Sequence, residues 1–458
     1  MIENDAFKLL LINLFHLNPD DIANILCTTF NKMMVLVVTL TDKHQACPYC
    51  GFTAPKIKEY VTKEITHSAL TTQKCIIKYR ARRYKCSCCG KTYYEFNPFV
   101  FKSQKISILT VHNILKDLKD FNETFTSVAR RYHVSPTSVS TIFDKHVDIG
   151  RNPLPEIINF DEVYAFKSEK SKYVCVLLDF KKQIPVDVLP NRKKEYLLNY
   201  FQKIPLEERK KVKYACSDMY EVYRDVVHKV FPSCCMLLDY FHLSQDFHRK
   251  MNEVRIKVMK GYKDNKASDE YYLLKKFNWL LFKNPEDEDK YGRLFDVERE
   301  RKYNSHFKSY MNYYDLRRKL LEINNDLTIC YSLKLELVDF YSKSTIDNAQ
   351  VNLEHLIRSC IDTNIEEMIA FSNNLINWKQ EIINSFTIVG TEYKVEADKG
   401  QVVVCNKKVN NAIIENRNKI IKCIKNNANG YTNWSRFRNR VMYVLDPNTT
   451  FSLEPREK

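Results

Sequence analysis

The chain has few glycines and no long apolar run. Its 458 residues include 8 glycines, whereas lysine, asparagine and isoleucine are abundant, a bias that we attribute to the coding DNA and not to function. The longest apolar runs, such as Met33 to Val38, are far shorter than the roughly 20 residues that a membrane-spanning helix needs, which excludes a membrane partner. Glu3 and Asp5 stand early and no basic stretch precedes them, so we expect no signal peptide and a cytoplasmic protein.

Acidic residues are outnumbered by basic ones. The chain has 72 lysines and arginines against 56 aspartates and glutamates, a formal net charge of +16. This balance favours a polyanionic partner, most often nucleic acid; the alternative is a basic protein without such a partner. The content of 44% hydrophobic residues excludes a disordered chain, and the length predicts two to four domains.

Most of the 15 cysteines are scattered, and those in apolar segments, such as Cys175 and Cys216, are expected to be reduced and buried. One group is spaced as metal ligands: two Cys-x-x-Cys knuckles, each followed by glycine, formed by Cys47 with Cys50 and by Cys86 with Cys89. Two such knuckles are typical of a zinc ribbon, in which four thiolates hold Zn²⁺. Cys88 is an alternative to Cys89, although the two-residue spacing favours Cys89. Cys75 is predicted to be a buried strand residue.

The segment between the two knuckles is basic. From Lys74 to Lys85 it has six basic residues and no acidic one, with aromatic residues interleaved. On a strand beside the ribbon, this pattern predicts a surface that contacts DNA phosphates; a solvated basic face is the alternative. The predicted DNA-binding side chains of this strand are Lys78, Arg80, Arg82, Arg83 and Lys85.

Residues 125–145 carry the pattern of a helix-turn-helix. The apolar side chains that would face inward are Val128, Ala129, Tyr132, Val134, Val139, Ile142 and Phe143. Ser135 is a natural N-cap and Pro136 a natural first residue of the second helix. The side chains that this helix would present to the major groove are Thr137, Ser138, Thr141 and Lys145. The alternative is an ordinary helical hairpin.

A second folding unit is predicted after a proline-containing linker. The strand candidates are 156–166, 173–180, 184–189, 212–217 and 234–239. Helices are predicted over 194–202 and 220–229, after the third and fourth strands. Three consecutive strands followed by alternating helix and strand is the order of a ribonuclease H-like fold. Residues 240–400 do not fit this small core, so we predict a large α-helical insertion, followed by a further helix over 410–425.

Three carboxylates lie on the predicted strands and the late helix of this fold. Asp161 lies on the first strand, Asp218 ends the fourth, and Glu415 lies on the late helix. Carboxylates held by a rigid sheet and helix are what two Mg²⁺ ions need for phosphoryl transfer. Asp239 also ends a strand and is the main rival of Asp218 as a ligand. His242 and His248 are candidate metal ligands, but we favour surface or helix-packing roles, which are more common for histidine.

An ordered set of motifs runs along nearly the whole chain. After the cysteine knuckles and the residues 125–145 come Phe160-Asp-Glu, Ser217-Asp-Met-Tyr, Leu238-Asp-Tyr-Phe-His, Asn377-Trp-Lys-Gln-Glu, Ile414-Glu-Asn-Arg-Asn, Gly430-Tyr and Arg436-Phe-Arg-Asn-Arg. Together they resemble the ISL-three family of bacterial insertion-sequence transposases. The resemblance implies a DDE transposase with a zinc-binding, helix-turn-helix N-terminal half and a ribonuclease H-like core. Carried over residue by residue, it implies Asp161, Asp218 and Glu415 as catalytic residues that bind Mg²⁺ or Mn²⁺.

The resemblance also implies a reaction and a partner. Such an enzyme cuts the ends of its element in double-stranded DNA and joins them to a target, and it is expected to act as a homo-oligomer on DNA. One departure is Asn416, where the family usually has glycine after the catalytic glutamate. The alternatives are a catalytically inactive or regulatory DNA-binding protein derived from a transposase, and a nuclease that cuts without joining.

The chain is therefore expected to be a multi-domain α/β protein. The predicted segments are an N-terminal part with the zinc ribbon (1–100), the helix-turn-helix (101–150), the first part of the ribonuclease H-like core (151–240), the helical insertion (241–400), and the core helix with a basic C-terminal helix (401–458).

Overall fold

The computed structural model of the chain describes residues 2–43, 46–101, 104–166, 171–395 and 402–456. These residues form a mixed α/β protein with two five-stranded sheets, a helical unit between them in sequence and a large helical region. Among the described helices, none combines the length and the apolar character needed to cross a membrane.

The N-terminal sheet begins with a hairpin that sequence analysis did not identify. Its elements are helix α1 (Ile2–Leu14) and strands β1 (Ile22–Phe30), β2 (Met33–Leu40), β3 (Lys56–Thr66), β4 (Cys75–Lys85) and β5 (Thr92–Tyr94). The strand order is β1-β2-β4-β3, and β5 pairs with β4. Asn31 and Lys32 have positive φ angles of 49° and 60°. A type I′ hairpin turn requires positive φ at both of its central residues. Cys75 is fully buried in β4, as predicted.

The helical unit has the predicted inner face. It consists of α2 (Ile108–Asp117), α3 (Phe125–Arg131) and α4 (Pro136–His146). The predicted apolar side chains form one core with α2, in which Val134 is partly buried. The hydroxyl of Ser135 accepts a hydrogen bond from the N–H of Ser138 at 3.0 Å, so Ser135 caps α4 as expected. Residue His133, between the helices, has a φ of 54°.

The second sheet contains the five strands predicted after the linker. They are β6 (Ile157–Val163), β7 (Val174–Asp179), β8 (Pro185–Leu189), β9 (Tyr214–Ser217) and β10 (Cys235–Leu238). The order is β10-β9-β6-β7-β8, in which β7 is antiparallel to β6 and β8 to β7, whereas β9 is parallel to β6 and β10 to β9.

Helices cover both faces of this sheet. One face packs against α5 (Lys194–Gln202) and α7 (Glu221–Val230), with the short α6 (Leu206–Arg209) between them in sequence. The other face packs against the last two helices of the chain, α15 (Ala412–Asn427) and α16 (Trp434–Leu445). Because strand side chains alternate, Asn159, Asp161 and Val163 share the face that meets α15.

The region between β10 and α15 has the largest hydrophobic core of the described chain. Its helices are α8 (Tyr240–Lys260), α9 (Asp269–Lys276), α10 (Tyr313–Glu322), α11 (Asn325–Lys343), α12 (Ala349–Asp362), α13 (Glu366–Asn377) and α14 (Lys379–Asn384). A short 3-10 helix, Asn278–Phe282, also belongs to this region, and another, Pro19–Asp21, precedes β1.

This region is mainly helical but not purely so. It also contains three antiparallel hairpins: β11 (Glu288–Asp289) with β12 (Gly292–Arg293), β13 (Lys302–Asn304) with β14 (Ser309–Met311), and β15 (Ile388–Val395) with β16 (Val402–Lys408). In β16 the run of valines that starts at Val402 favours a strand, because β-branched side chains fit a pleated surface. The segment boundary predicted between residues 400 and 401 lies outside the described residues.

Helix α16 connects the helical unit to the second sheet. Arg436 forms an ion pair with Asp144 of α4 at 2.6 Å, and Arg438 donates to the Asp187 carboxylate of β8 at 2.7 Å. The buried guanidinium of Arg440 donates to two backbone carbonyls of the loop before α3, each at 2.8 Å. The arginines of the predicted basic C-terminal helix therefore make internal contacts.

Candidate active site

Asp161 is the buried carboxylate at the centre of the second sheet. It lies on β6 with 9% of its surface exposed. One carboxylate oxygen accepts the backbone N–H of Glu162 at 2.8 Å, and the other accepts the side-chain amide of Asn418 on α15 at 2.7 Å. These two donors fix the orientation of the carboxylate, and each oxygen keeps a free lone pair.

Asp218 and Asp239 lie at the same edge of the sheet as Asp161. Strands β6, β9 and β10 run parallel, so their carboxyl ends meet at one edge. Asp218 directly follows β9 and Asp239 directly follows β10. One carboxylate oxygen of each, Oδ1 of Asp218 and Oδ2 of Asp239, is buried and has no hydrogen-bond partner among the described residues. Such atoms indicate a missing donor or cation.

A set of asparagine contacts attaches α15 to β6. The side-chain amide of Asn159 donates to the Asn411 side-chain oxygen at 2.6 Å and to the Asn410 carbonyl at 2.8 Å. Asn411, fully buried at the start of α15, donates in turn to the Phe160 carbonyl at 3.3 Å. Glu415 follows one helical turn after Asn411, so these contacts bring its carboxylate to the edge where the three aspartates lie.

His242 belongs to the same cluster. The sequence favoured a surface or helix-packing role for this residue and did not place it beside the carboxylates. The imidazole Nε2 lies 3.9 Å from Asp239 Oδ2 and 4.0 Å from Glu415 Oε1. One ligand atom from each of these three side chains lies within 4.8 Å of the others. Nε2 is buried and lacks a hydrogen-bond partner in the described chain. The sequence pattern that points to His242 is the Asp-x-x-His spacing at the start of α8, because residues three positions apart lie on one face of a helix.

Burial makes the carboxylates of this cluster hard to ionise. It raises the pKa of Asp161 to about 7, with a further contribution from the nearby negative charge of Asp218. Burial also raises the pKa of Asp218 and of Asp239. A divalent cation would offset this cost, since it favours the charged form of every carboxylate that binds it. The unpartnered buried oxygens and the clustered carboxylates thus fit a divalent metal ion.

Glu162 lies on the opposite face of β6 from Asp161. It forms an ion pair with Arg192 and accepts a hydrogen bond from the Tyr223 hydroxyl at 3.2 Å. Arg192 also lies over the ring of Tyr220, with 4.7 Å between the guanidinium carbon and the ring centroid. Glu162 is therefore held by protein side chains, whereas Asp218 and Asp239 each keep one buried oxygen without a partner among the described residues.

The four predicted cysteines form a second cluster, at the end of the N-terminal sheet. The Sγ atoms of Cys47, Cys50, Cys86 and Cys89 lie within 4.8 Å of one another. Gly51 and Gly90 follow the two knuckles with φ angles of 75° and 70°, a left-handed conformation that favours glycine. Cys88 is exposed and lies outside the cluster. The arrangement is compatible with one tetrahedral metal ion.

Most of the basic side chains of β4 have acidic partners. The ion pairs are Lys78 with Glu64 at 2.8 Å, Arg82 with Glu95 at 2.8 Å and Arg83 with Glu59 at 2.6 Å. Arg82 also donates to a backbone carbonyl, and 14% of its side chain is exposed. Arg80 and Lys85 are exposed, and neither has an acidic partner among the described residues. The acidic residues of β3 were visible in the sequence, but their pairing with β4 was not.

The predicted groove-facing side chains of α4 differ in exposure. Thr137 and Thr141 are exposed. Ser138 and Lys145 are half-buried, and the Ser138 hydroxyl lies 2.8 Å from that of Ser135. A role of these residues in reading DNA stays a prediction.

The pKa shift of Asp239 predicts a pH-dependent stability. We expect Asp239→Asn to raise the melting temperature of the metal-free protein by a few degrees at pH 8, measured by thermal unfolding in EDTA. The folded-state pKa of Asp239 is raised above its ordinary value of 3.8 because the group is buried, so the destabilisation of the wild type grows between pH 3.8 and the folded-state pKa and is complete above it. The gain should therefore shrink as pH falls through the folded-state pKa and vanish below about 3.8.

Magnesium provides the complementary measurement. A divalent cation held by this cluster, tested with Mg²⁺, should stabilise the wild type more than Asp239→Asn, because the variant has one negative charge fewer in the cluster. The exposed Asp264→Asn should show neither effect. Equal stability of wild type and Asp239→Asn at pH 8 would contradict the burial argument.

Comparison with known proteins identifies the family of the chain. A family model for transposases of the DDE type, ISL-three group, matches residues 158–397, which is more than half of the chain. The transposase for insertion sequence element IS1001 from Bordetella parapertussis is 20% identical over 410 residues, covering 89% of this chain and 90% of that protein. The family match includes the second sheet and nearly all of the helical region. The chain therefore belongs to the ISL-three family of DDE transposases.

Proposed function

We propose that this transposase binds the ends of an insertion sequence and catalyses DNA cleavage and strand transfer by metal-assisted phosphoryl transfer. The observation that carries the proposal is the convergence of Asp161, Asp218, Asp239 and Glu415 at one edge of the second sheet, with buried oxygens that lack partners in the described chain. Double-stranded DNA is the proposed partner, and a homo-oligomer on DNA is the proposed assembly.

We also propose that the chain has a ribonuclease H-like core and a helix-turn-helix. The strand order β10-β9-β6-β7-β8 with its parallel and antiparallel pairs supports a ribonuclease H-like core. The capped helix α4, which follows α3 after a short turn, supports a helix-turn-helix. The predicted segments 1–100, 101–150, 151–240, 241–400 and 401–458 remain the proposed division of the chain.

Asp161, Asp218 and Glu415 are the proposed catalytic carboxylates, with Asp239 as a further ligand. Mg²⁺ or Mn²⁺ bound there would supply Lewis-acid stabilisation of the charge that develops on the phosphate. Oxygen ligands suit these ions better than imidazole does. For His242 we therefore propose hydrogen bonding through Nε2 to the reacting phosphate group. Asn418 positions the Asp161 carboxylate through the amide that it donates.

The departure from the family pattern at Asn416 does not disturb this geometry. Asn416 is exposed on α15, where its side-chain oxygen lies 3.4 Å from the Lys419 ammonium. Asparagine costs a helix only a few tenths of a kcal/mol relative to good helix formers. The residue therefore gives no structural support to the alternative of an inactive, regulatory copy.

The catalytic assignment predicts a loss of chemistry without a loss of binding. Asp161→Asn, Asp218→Asn and Glu415→Gln should each slow cleavage of terminal DNA by about 10³-fold, because each removes charge that stabilises the transition state by several kcal/mol. Cleavage and joining are measured on labelled end DNA, and binding by gel shift. Glu195→Gln, an exposed carboxylate on α5, is the control. Cleavage at near-normal rates by any one variant would remove that residue from the site.

The cysteine cluster predicts one structural zinc ion. Elemental analysis of protein purified without chelator should give about one zinc per chain, lost when Cys47 and Cys50 are both changed to serine. Cys88→Ser should retain the metal, since this thiol is exposed beside the cluster. Zinc-free wild-type protein, or loss of zinc on changing Cys88, would be incompatible with the proposed ligands.

Only some basic side chains of β4 have acidic partners, so we expect substitutions of the paired and unpaired ones to weaken DNA binding to different extents. Arg80→Ala with Lys85→Ala should weaken binding to all DNA and reduce the salt slope by about 2, one unit for each lost phosphate contact. Lys78→Ala with Arg83→Ala is the matched control and should have a smaller effect, because Glu64 and Glu59 already balance these charges.

The exposed threonines of α4 should affect specificity instead. Thr137→Ala or Thr141→Ala should reduce the preference for the element's ends over random DNA while leaving the salt slope unchanged. Equal loss of affinity for specific and random DNA would indicate that residues 125–145 are only a packed helical hairpin.

A further inference from the structure

Strand β1 forms an unprotected edge of the N-terminal sheet. It pairs with β2 and with no other strand of the described chain, so the backbone groups along its outer side face no strand. Its sequence, Ile22–Phe30, contains no charged residue and no proline. Charged side chains and prolines are common means by which soluble proteins keep sheet edges from pairing with other chains. The edge formed by β1 is therefore open to one further strand.

The opposite edge of the same sheet is protected. Strand β3 forms that edge, and five of its eleven residues are charged: Lys56, Lys58, Glu59, Lys63 and Glu64. The two edges belong to one sheet of a chain in which 28% of all residues are charged. The neutrality of β1 is therefore a local feature and does not follow from the composition of the protein.

Apolar side chains surround the open edge. Leu26 and Phe30 lie on the outer face of β1, because alternate side chains of a strand share a face. Helix α1 packs against the other face of the strand through its buried side chains. On a different side of this helix, Phe7, Leu10 and Leu14 follow one another at three- and four-residue spacing. Each of these five side chains is between 46% and 63% exposed, and together they are called the β1 surface.

The β1 surface is large enough for a specific contact between proteins. A half-exposed side chain of this size offers roughly 100 Å² to solvent. Five of them from each of two copies would remove about 1,000 Å² of apolar area from water, the size from which specific interfaces begin. Contiguous exposed apolar areas of this kind mark interaction sites in soluble proteins.

The charges at the two ends of β1 indicate a second copy of the chain as the partner. Asp20 stands just before the strand and Lys32 just after it; both are exposed, and neither forms an ion pair among the described residues. If two copies of β1 pair antiparallel with Leu26 on the twofold axis, Asp20 of each copy meets Lys32 of the other. A twofold interface requires such self-complementarity. DNA is a poor alternative, because a neutral apolar strand offers no cation to its phosphates.

We propose that two copies of this transposase pair through antiparallel addition of β1 to β1, with the two α1 helices side by side, before DNA is bound. The inference rests on the homo-oligomer of the proposed function and deepens it by naming the interface. In strand addition, main-chain hydrogen bonds supply affinity and the side chains along the strand supply specificity.

This pairing would place the proposed phosphate contacts of both copies on one side. Leu26 pairs with Val37 of β2, and Val37 pairs with Lys78 of β4, so Arg80, two residues further along β4, shares the outer face with Leu26. A twofold axis perpendicular to the sheet leaves the outer faces of the two copies on the same side. The joined sheet would therefore present Arg80 of both copies to DNA.

The first test is the mass of the full-length protein without DNA, measured by sedimentation velocity. We expect the wild type to form a dimer of twice 54.4 kDa at micromolar concentration. Leu26→Lys should raise the Kd of the dimer by about tenfold or more, because it sets two like charges opposite each other on the axis. Leu10→Lys should also weaken the dimer. Ile57→Lys, at an exposed apolar position of β3, is the matched control and should not.

The second test exchanges the charges at the ends of β1. Asp20→Lys and Lys32→Asp should each weaken the dimer severalfold, because each puts like charges together at two places related by the axis. The double variant should restore the wild-type Kd, since opposite charges then meet again. These differences should shrink at high salt, which screens exposed charges. Melting temperatures show whether each variant folds.

The outcomes separate this interface from the rest of the proposed function. A wild type that is monomeric without DNA, or a dimer that Leu26→Lys leaves intact, would overturn the inference and leave catalysis and assembly on DNA standing. Dimers that depend on Leu26, in a wild type that does not cut end DNA, would support the interface and refute the catalytic proposal. Asp161→Asn should remain dimeric. If Leu26→Lys does not fold, the charge exchange decides: restored affinity in the double variant supports the interface, and any other pattern overturns it.

Discussion

The hydrogen bond between Asn159 and Asn411 is the contact on which the candidate active site depends. It joins two residues that are 252 positions apart, and it attaches the helix that carries Glu415 to the strand that carries Asp161. Closing so long a loop of flexible chain is entropically unfavourable. Here most of the intervening chain folds around its own hydrophobic core, which holds the two ends of the insertion in place. The insertion is therefore a structural requirement for the site, in addition to any role on DNA.

The acidic edge of the sheet is destabilising in the absence of cations. Asp161, with a pKa of about 7, lies near two further carboxylates whose pKa values burial also raises. Charged groups of one sign in a buried place lower stability unless an opposite charge is bound. Functional sites commonly show this conflict between activity and stability. The network of amides from Asn418 and the backbone holds the carboxylates in position in spite of their repulsion.

Elements with a strong local pattern could be predicted from the sequence. The five strands of the second sheet follow apolar runs, and the start of α4 follows from Ser135 and Pro136, whose effects act over a few residues. The cysteine cluster follows from spacing alone. In each case the residues that determine the structure are close together in the chain.

Features that depend on pairing between distant segments could not be predicted. Lys78 and Arg83 looked like free positive charges, and only the register of β3 against β4 shows that Glu64 and Glu59 neutralise them. His242 looked like an isolated histidine, and only the approach of α15 shows that it faces Glu415. The type of each residue could be read from the sequence, but its partner could not, because that partner lies in a distant segment of the chain.

Helix α16 fixes the distance between the helical unit and the second sheet. Its arginines bind Asp144 on the predicted DNA-reading helix and Asp187 on the second sheet, so the two units are held at one spacing. If α4 recognises the element's ends as proposed, this connection would fix the number of base pairs between the recognised sequence and the bond that is cut. A change in that number during evolution would then require a compensating change in the same helix.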